Sequence, residues 1–160
     1  IAFKHQNYQN SNFTFLVSKG SFSVVIKHSV ACVFVKENMV LLGKRIPSGA
    51  MGGLWEFPGG KVEEGETFEQ AVIREFAEEF SVEVSVGPLI TNNIFVHNNK
   101  NYHLHVYQVF VETDISKWKL TEHTEVKWFD LKDIPSLPFV DSDKKVYPDV
   151  VNYFRRVYEE

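Results

Sequence analysis

Three glutamates, Glu75, Glu78 and Glu79, stand at i, i+3 and i+4 within GGKVEEGETFEQAVIREFAEEFSV, residues 59–82. At that spacing they share one face of a helix, where three like charges repel one another. Either solvent screens them as an ordinary acidic face, or a cation sits among them. Carboxylate oxygens are hard donors suited to Mg²⁺, Mn²⁺ or Ca²⁺. Of these, Mg²⁺ takes only one or two protein carboxylates and fills its shell with water and phosphate oxygens. A carboxylate cluster beside a Gly-rich loop, here Gly59-Gly60, therefore points to a metal–phosphate complex. Arg74 adjoins the stripe and Glu66 precedes it near the helix start. A bidentate Arg74–Glu66 pair would pin the loop to the helix.

The elements that position these groups are legible around them. A helix is expected over 67–80, with Thr67 as N-cap and Gln70 reaching back in a capping box. Its apolar residues cover much of the circumference, so it should be largely buried with one polar stripe. The run VACVFV, 30–35, reads as a strand buried on both faces, and 39–42 as its return after a turn at Lys36-Glu37-Asn38. Residues 47–53 (PSGAMGG) read as a flexible loop. Further strands are expected over 82–86, 89–96, 102–111 and 126–129. A C-terminal helix is expected over 144–158, with Pro148 in its first turns, where proline costs least. Residues 1–29 read as an N-terminal arm with a possible hairpin around Lys19-Gly20-Ser21, and 30–160 as the main domain. The fold class is α/β, with helices packed on a sheet.

The chain has 160 residues, 44% hydrophobic and 24% charged, which excludes disorder and fits one domain. A chain of this length buries roughly 70% of its unfolded surface and needs no disulfide or structural metal. The single cysteine, Cys32, forms no internal bridge, which suits a reducing, cytoplasmic setting. No apolar run approaches the ~18 residues of a membrane span. Seventeen basic against 21 acidic residues give a net charge of −4, a poor match for a stable nucleic-acid partner. An anionic ligand would need local cations or metal ions. The 14 Phe, 6 Tyr and 3 Trp supply packing surface and candidate stacking platforms.

Segment 60–82 resembles the Nudix box, G-x5-E-x7-R-E-U-x-E-E-x-G-U, where U is aliphatic. Gly60, Glu66, Arg74-Glu75 and Glu78-Glu79 fill its fixed positions, and Val82 its last aliphatic one. Phe76 stands in place of an aliphatic residue, and Ser81 replaces the closing glycine. Glycine suits the left-handed turn that ends a helix, and serine is less comfortable there. Residues 55–61 (WEFPGGK) are similar to the approach in the MutT branch of nucleoside triphosphate pyrophosphohydrolases. Lys44-Arg45, His103-Leu104-His105, Glu122, Trp128 and 137–143 (LPFVDSD) follow the order of that branch and of its CTP pyrophosphohydrolase relatives.

The resemblance implies a Nudix-type α/β/α sandwich with a mixed sheet between helices. It implies Mg²⁺-dependent hydrolysis (Mn²⁺ as a substitute) of a nucleoside triphosphate to the monophosphate and pyrophosphate. Candidate substrates are 8-oxo-dGTP and CTP- or dCTP-like nucleotides. By the same resemblance Glu75, Glu78, Glu79 and the Gly59 carbonyl hold metal. Glu122 joins them or serves as base; between Glu75 and Glu122 as base the sequence does not choose. Arg45 is the candidate phosphate clamp, since a guanidinium matches phosphate oxygens bidentately, or else a strand-end surface charge. Lys61 contacts phosphate or solvates its loop. Asp143 aligns with a residue that reads the base, with Asp141 as competitor; either could instead cap the last helix. An ionised Asp only accepts hydrogen bonds, which favours a base edge presenting N–H groups. Phe57, with Trp55 and Phe139, could stack on a base or pack in the core. His97, His103 and His105 invite a zinc reading, but no Cys or third ligand stands at suitable spacing, so they are expected to be strand residues near the pocket mouth.

Two other readings remain open. One changes the substrate to 5′-triphosphorylated RNA or a nucleotide sugar. The other is a non-catalytic Nudix-like binding module, against which the retained carboxylates argue. The partner is a nucleoside triphosphate, and the protein is a monomer or homodimer.

Overall fold

Successive side chains of a strand point to opposite sides, and here each side of the central strands meets its own helix. The computed structural model describes residues 14–15 and 24–159. Its strands are β1 (Thr14–Phe15), β2 (Val24–Val33), β3 (Val35–Lys36), β4 (Met39–Arg45), β5 (Trp55–Glu56), β6 (Gly59–Lys61), β7 (Ser85–His97), β8 (Lys100–Phe110) and β9 (His123–Asp130). The helices are α1 (Phe68–Phe80) and α2 (Asp141–Glu159), with short 3-10 turns at Ile115–Lys117 and Leu131–Ser136. Val30 and Cys32 pack with Ala71, Val72, Phe76 and Phe80 of α1. Their neighbours Ala31 and Val33 pack with Val146, Val150 and Phe154 of α2. Leu41 against Val40 and Leu42 in β4, and Tyr107 against Val106 in β8, repeat the alternation. The result is the expected α/β/α sandwich.

The strands form two ladders rather than one continuous sheet. β2 runs parallel to β8 and antiparallel to β6, and β8 pairs antiparallel with β7. β4 pairs antiparallel with β3, β5 and β9. The turn at Lys36-Glu37-Asn38 is as expected: Glu37 and Asn38 both take positive φ (51° and 63°), as a two-residue hairpin between right-twisted strands requires.

Several boundaries differ from the sequence reading. β2 begins at Val24 and pairs with β8 from Ile26 onward, so residues 24–29 belong to the sheet. Thr14-Phe15 pairs with Val24-Val25, while the turn at Lys19-Gly20-Ser21 lies outside the described residues. Strands expected at 82–86 and 89–96 are one strand, β7, kinked by register shifts on either side of Leu89, next to Gly87-Pro88. Proline cannot donate to a ladder, so the irregularity falls beside it. α2 starts at Asp141, three residues earlier than expected, which moves Pro148 into the helix interior. Pro148 is exposed there, so water can satisfy the carbonyl it leaves without an N–H. No helix among the described residues is long and apolar enough to cross a membrane.

Candidate active site

α1 is built by local chemistry. Thr67 Oγ1 accepts the Gln70 N–H (3.1 Å) and Gln70 Oε1 accepts the Thr67 N–H (2.8 Å), the reciprocal cap the sequence specifies. At its other end Ser81 takes the left-handed conformation (φ 55°, ψ 39°) and donates its N–H to the Ala77 carbonyl. The turn survives the loss of glycine. Phe76, in the aliphatic position, is buried in an aromatic group with Phe80 and Trp118.

Arg74 organises the loop. Its Nε and Nη2 hold Glu66 (2.7 and 3.0 Å), Nη1 holds Glu75 and Glu78 (2.8 and 3.1 Å), and Nη2 also reaches the Lys61 carbonyl (2.8 Å). Glu66 in turn accepts the Glu63 N–H at 2.9 Å. The Arg74 guanidinium holds the Glu66 carboxyl below its ordinary range. The anticipated pin between loop and helix is therefore present, and Arg74 is a positioning residue with every donor direction engaged.

The structure brings Glu75 and Glu79 together and leaves Glu78 outside. Glu75 sits where Gly60 has no side chain; a Cβ at Gly60 would collide with its carboxylate. Glu79 is 6% exposed, and its Oε2 has no hydrogen-bond partner, the nearest basic group being His123 Nδ1 at 3.8 Å. Burial, then the neighbouring Glu75 charge, pushes its carboxyl far above the ordinary range. Glu78 is exposed and leans on Arg74. Glu122 reaches the same place by a latch. The Lys119 and Thr121 N–H groups donate to the Phe80 and Glu79 carbonyls (3.0 and 3.1 Å), capping orphan acceptors at the end of α1. That sets exposed Glu122 and buried His123 against the carboxylates. The donors fit a hard divalent cation: an unpartnered buried carboxylate oxygen, a second carboxylate in a glycine cradle, and a third, Glu122, whose charge bears on Glu79.

A cleft of about 960 Å³ opens beside Gly59-Gly60. Arg45, Lys61, Asp141 and Asp143 all line it. Phe57 also borders it, but stacking on a base is not available to its ring. The ring is 2% exposed and packs edge-on against Phe139 at 5.3 Å, because the segment around Trp55 is core. Its contribution is its backbone N–H, which donates to Asp143 Oδ2 at 2.8 Å. Neither aspartate caps α2; both lie in its first turn, and Asp141 is exposed in an ion pair with Lys144. Asp143 is buried, and burial followed by the Glu56 charge pushes its carboxyl up to about 8. Burial therefore favours the protonated acid, which donates as well as accepts, over the acceptor-only carboxylate.

Two site residues escaped the sequence reading. Glu56 Oε1 accepts from Arg45 Nη1 (3.0 Å) and lies 2.9 Å from His123 Nε2, tying β5 to β4 and β9. Gly43 makes room for the imidazole, since a Cβ there would strike it. A charged residue inside the apolar run LWEF was the available signal, because a carboxylate in a buried strand needs a partner. Arg45 is thus shared between Glu56 and the cleft. The histidine reading also changes: His28, on β2, joins His103 and His105, and one ring nitrogen of each lies within 4.8 Å of the others.

A NUDIX domain model matches residues 26–150, and the chain belongs to the Nudix hydrolase family, enzymes that cleave phosphoric anhydrides. The CTP pyrophosphohydrolase of Escherichia coli is 36% identical over 80 residues, half of this chain and 59% of that enzyme's length. The 8-oxo-dGTP diphosphatase of Proteus vulgaris is 39% identical over 92 residues, 58% of this chain and 76% of the relative. A solved MutT protein from Methanosarcina mazei superposes with a TM-score of 0.70 at 25% identity, covering 85% of this chain and 98% of that one. Nudix hydrolases generally use divalent metals, for which the carboxylate set above is suited.

Proposed function

We propose that the chain hydrolyses a nucleoside triphosphate to the monophosphate and pyrophosphate, using Mg²⁺ held by Glu75, Glu79 and the Gly59 carbonyl, with Glu78 joining them on release from Arg74. The carrying observation is the paired carboxylates Glu75 and Glu79, one packed against Gly60, which itself lines the cleft with Asp143, and one with a buried oxygen that has no hydrogen-bond partner. Bound divalent ions neutralise phosphate charge and acidify water. The chain's own groups do the rest. Lys61 and Arg45, on the cleft wall, pair with phosphate oxygens. Glu75 is committed to Arg74, so exposed Glu122 is the better-placed acceptor for the proton of the attacking water. That water's oxygen bonds to a phosphorus of the α–β bridge, and the bridging P–O bond breaks. Protonated Asp143 offers a base edge one donor and one acceptor, an arrangement that both an oxidised guanine and a cytosine can meet.

The named relatives act on CTP and 8-oxo-dGTP, and an ADP-ribose pyrophosphatase of Methanocaldococcus jannaschii is 30% identical over 124 residues. The deciding measurement is product release from 8-oxo-dGTP, dCTP, CTP, 5-methyl-dCTP, 5′-triphosphorylated RNA and ADP-ribose with Mg²⁺. A clear preference for one free triphosphate, with pyrophosphate as co-product, is expected. Preference for ADP-ribose or RNA, or indifference to all, overturns the reading.

A further inference from the structure

The parallel register of β2 and β8 places His28 opposite His103 and Val30 opposite His105. All three imidazoles stand on the α1 side of the sheet. Ser29, Ala31 and Leu104, which alternate with them, line the cleft on the other side. None of the three rings lines the nucleotide cleft, and no step of the proposed reaction uses them. His28 Nδ1 lies 3.0 Å from His105 Nε2, and the His103 and His105 ring centres are 4.1 Å apart. His28 Nε2 is buried without a hydrogen-bond partner. Asn92 Oδ1, on β7, lies 2.8 Å from His103 Nε2. Phe68, the first residue of α1, stacks on His105 at 3.8 Å and closes the group from above.

Packing three imidazoles together is unfavourable if they are charged and useful if they are ligands. Burial, reinforced by their mutual proximity, holds His28 and His105 below the ordinary histidine range, His105 down to about 3, and burial does the same for His103. The rings are thus neutral; one of His28 Nδ1 and His105 Nε2 donates its N–H to the other, and a change of tautomer moves that hydrogen to the far ring nitrogen and frees both facing nitrogens for an ion. A tetrahedral ion at ~2.0–2.1 Å from two imidazoles keeps their nitrogens about 3.3 Å apart, close to the His28–His105 separation. Asn92 is the kind of outer partner that orients a ligating ring.

The geometry points to a transition-metal site of three histidines, His28, His103 and His105, that binds Zn²⁺ on the face of the sheet opposite the nucleotide cleft. Imidazole nitrogen is a borderline donor that suits Zn²⁺ and not Mg²⁺, so this site and the carboxylate site take different ions. Through β2, β8 and Phe68 the ion would clamp the sheet to the start of α1.

The test is calorimetric titration of Zn²⁺ into the full chain in saturating Mg²⁺, with thermal melting as a second readout. One Zn²⁺ per chain and a higher melting temperature are expected. His28→Gln and His103→Gln should each weaken binding by more than the roughly 10–100-fold that losing an outer partner costs, and Asn92→Ala by about 10-fold. Glu79→Gln and His97→Gln should leave the zinc affinity unchanged. A histidine NMR titration of the native chain tests the same point even if a variant fails to fold: ring signals of three of the six histidines should move. Displacement of Zn²⁺ by Mg²⁺, loss of binding in Glu79→Gln alone, or affinity indifferent to His28 and His103 overturns the proposal.

Discussion

Glu79 is an acid buried beside another acid, with one carboxylate oxygen unpartnered. An arrangement that costs stability without a cation is understandable if a cation completes it. Glu79→Gln keeps the shape and removes the charge, so kcat should fall by more than about 100-fold, the scale of losing an electrostatic stabiliser. The thermal midpoint of the metal-free protein at neutral pH should hold or rise. Equal loss of folding and activity would mean Glu79 is structural. Asp143 gives a separate prediction. Its carboxyl is raised from 3.8 to about 8. Between those values the unfolded chain has released a proton that the folded chain keeps, so stability should fall as pH rises across that window. Asp143→Asn should flatten that slope in denaturant titrations. If Asp143 reads the base, the variant should also keep KM at pH 7 and abolish its rise above about pH 8. An unchanged KM profile in the variant would remove Asp143 from recognition.

At the scale of elements, α1 is the part best specified by its own sequence. Its cap, the Arg74–Glu66 pin and the carboxylate face all connect residues within one or two turns or an adjoining loop, so spacing alone predicts them. Its C-terminal end is the exception, where Ser81 adopts a left-handed conformation that costs L-residues roughly 1–2 kcal/mol. Ser81→Gly should raise the unfolding free energy by about 0.5–1 kcal/mol in urea, part of the gain being offset by the freer unfolded chain. No shift in the urea midpoint would mean that the Ala77 contact already relieves the strain. α2 starts at Asp141 and not at the expected 144 for a tertiary reason. The Trp55 and Val140 N–H groups donate to the Pro138 and Trp55 carbonyls, stitching 138–140 to β5 and releasing the helix at Asp141.

For the molecule as a whole, two cores share one set of strands, and Cys32 lies in the α1-side core with 0% exposure. Burial, then the Glu79 charge, raises its thiol well above the ordinary range. It should resist thiol reagents in the native state and react only at the rate of global opening, read as labelling that tracks unfolding across urea concentrations. Fast labelling under native conditions would show that the strands separate locally.

The sequence by itself determined what neighbours along the chain can settle: the capped helix, the acidic face, the Arg74–Glu66 pin, the tight turn at Glu37-Asn38 and, of the doubly buried strand expected over 30–35, its first four residues, since β2 ends at Val33. Only the tertiary structure decided which distant residues meet. His28 and His105 are separated by 77 positions, and Glu56 and His123 by 67. Their meeting depends on the parallel register of β2 with β8 and on β9 seating against β4. Register follows from packing both faces of the sheet at once, a condition that no local spacing carries.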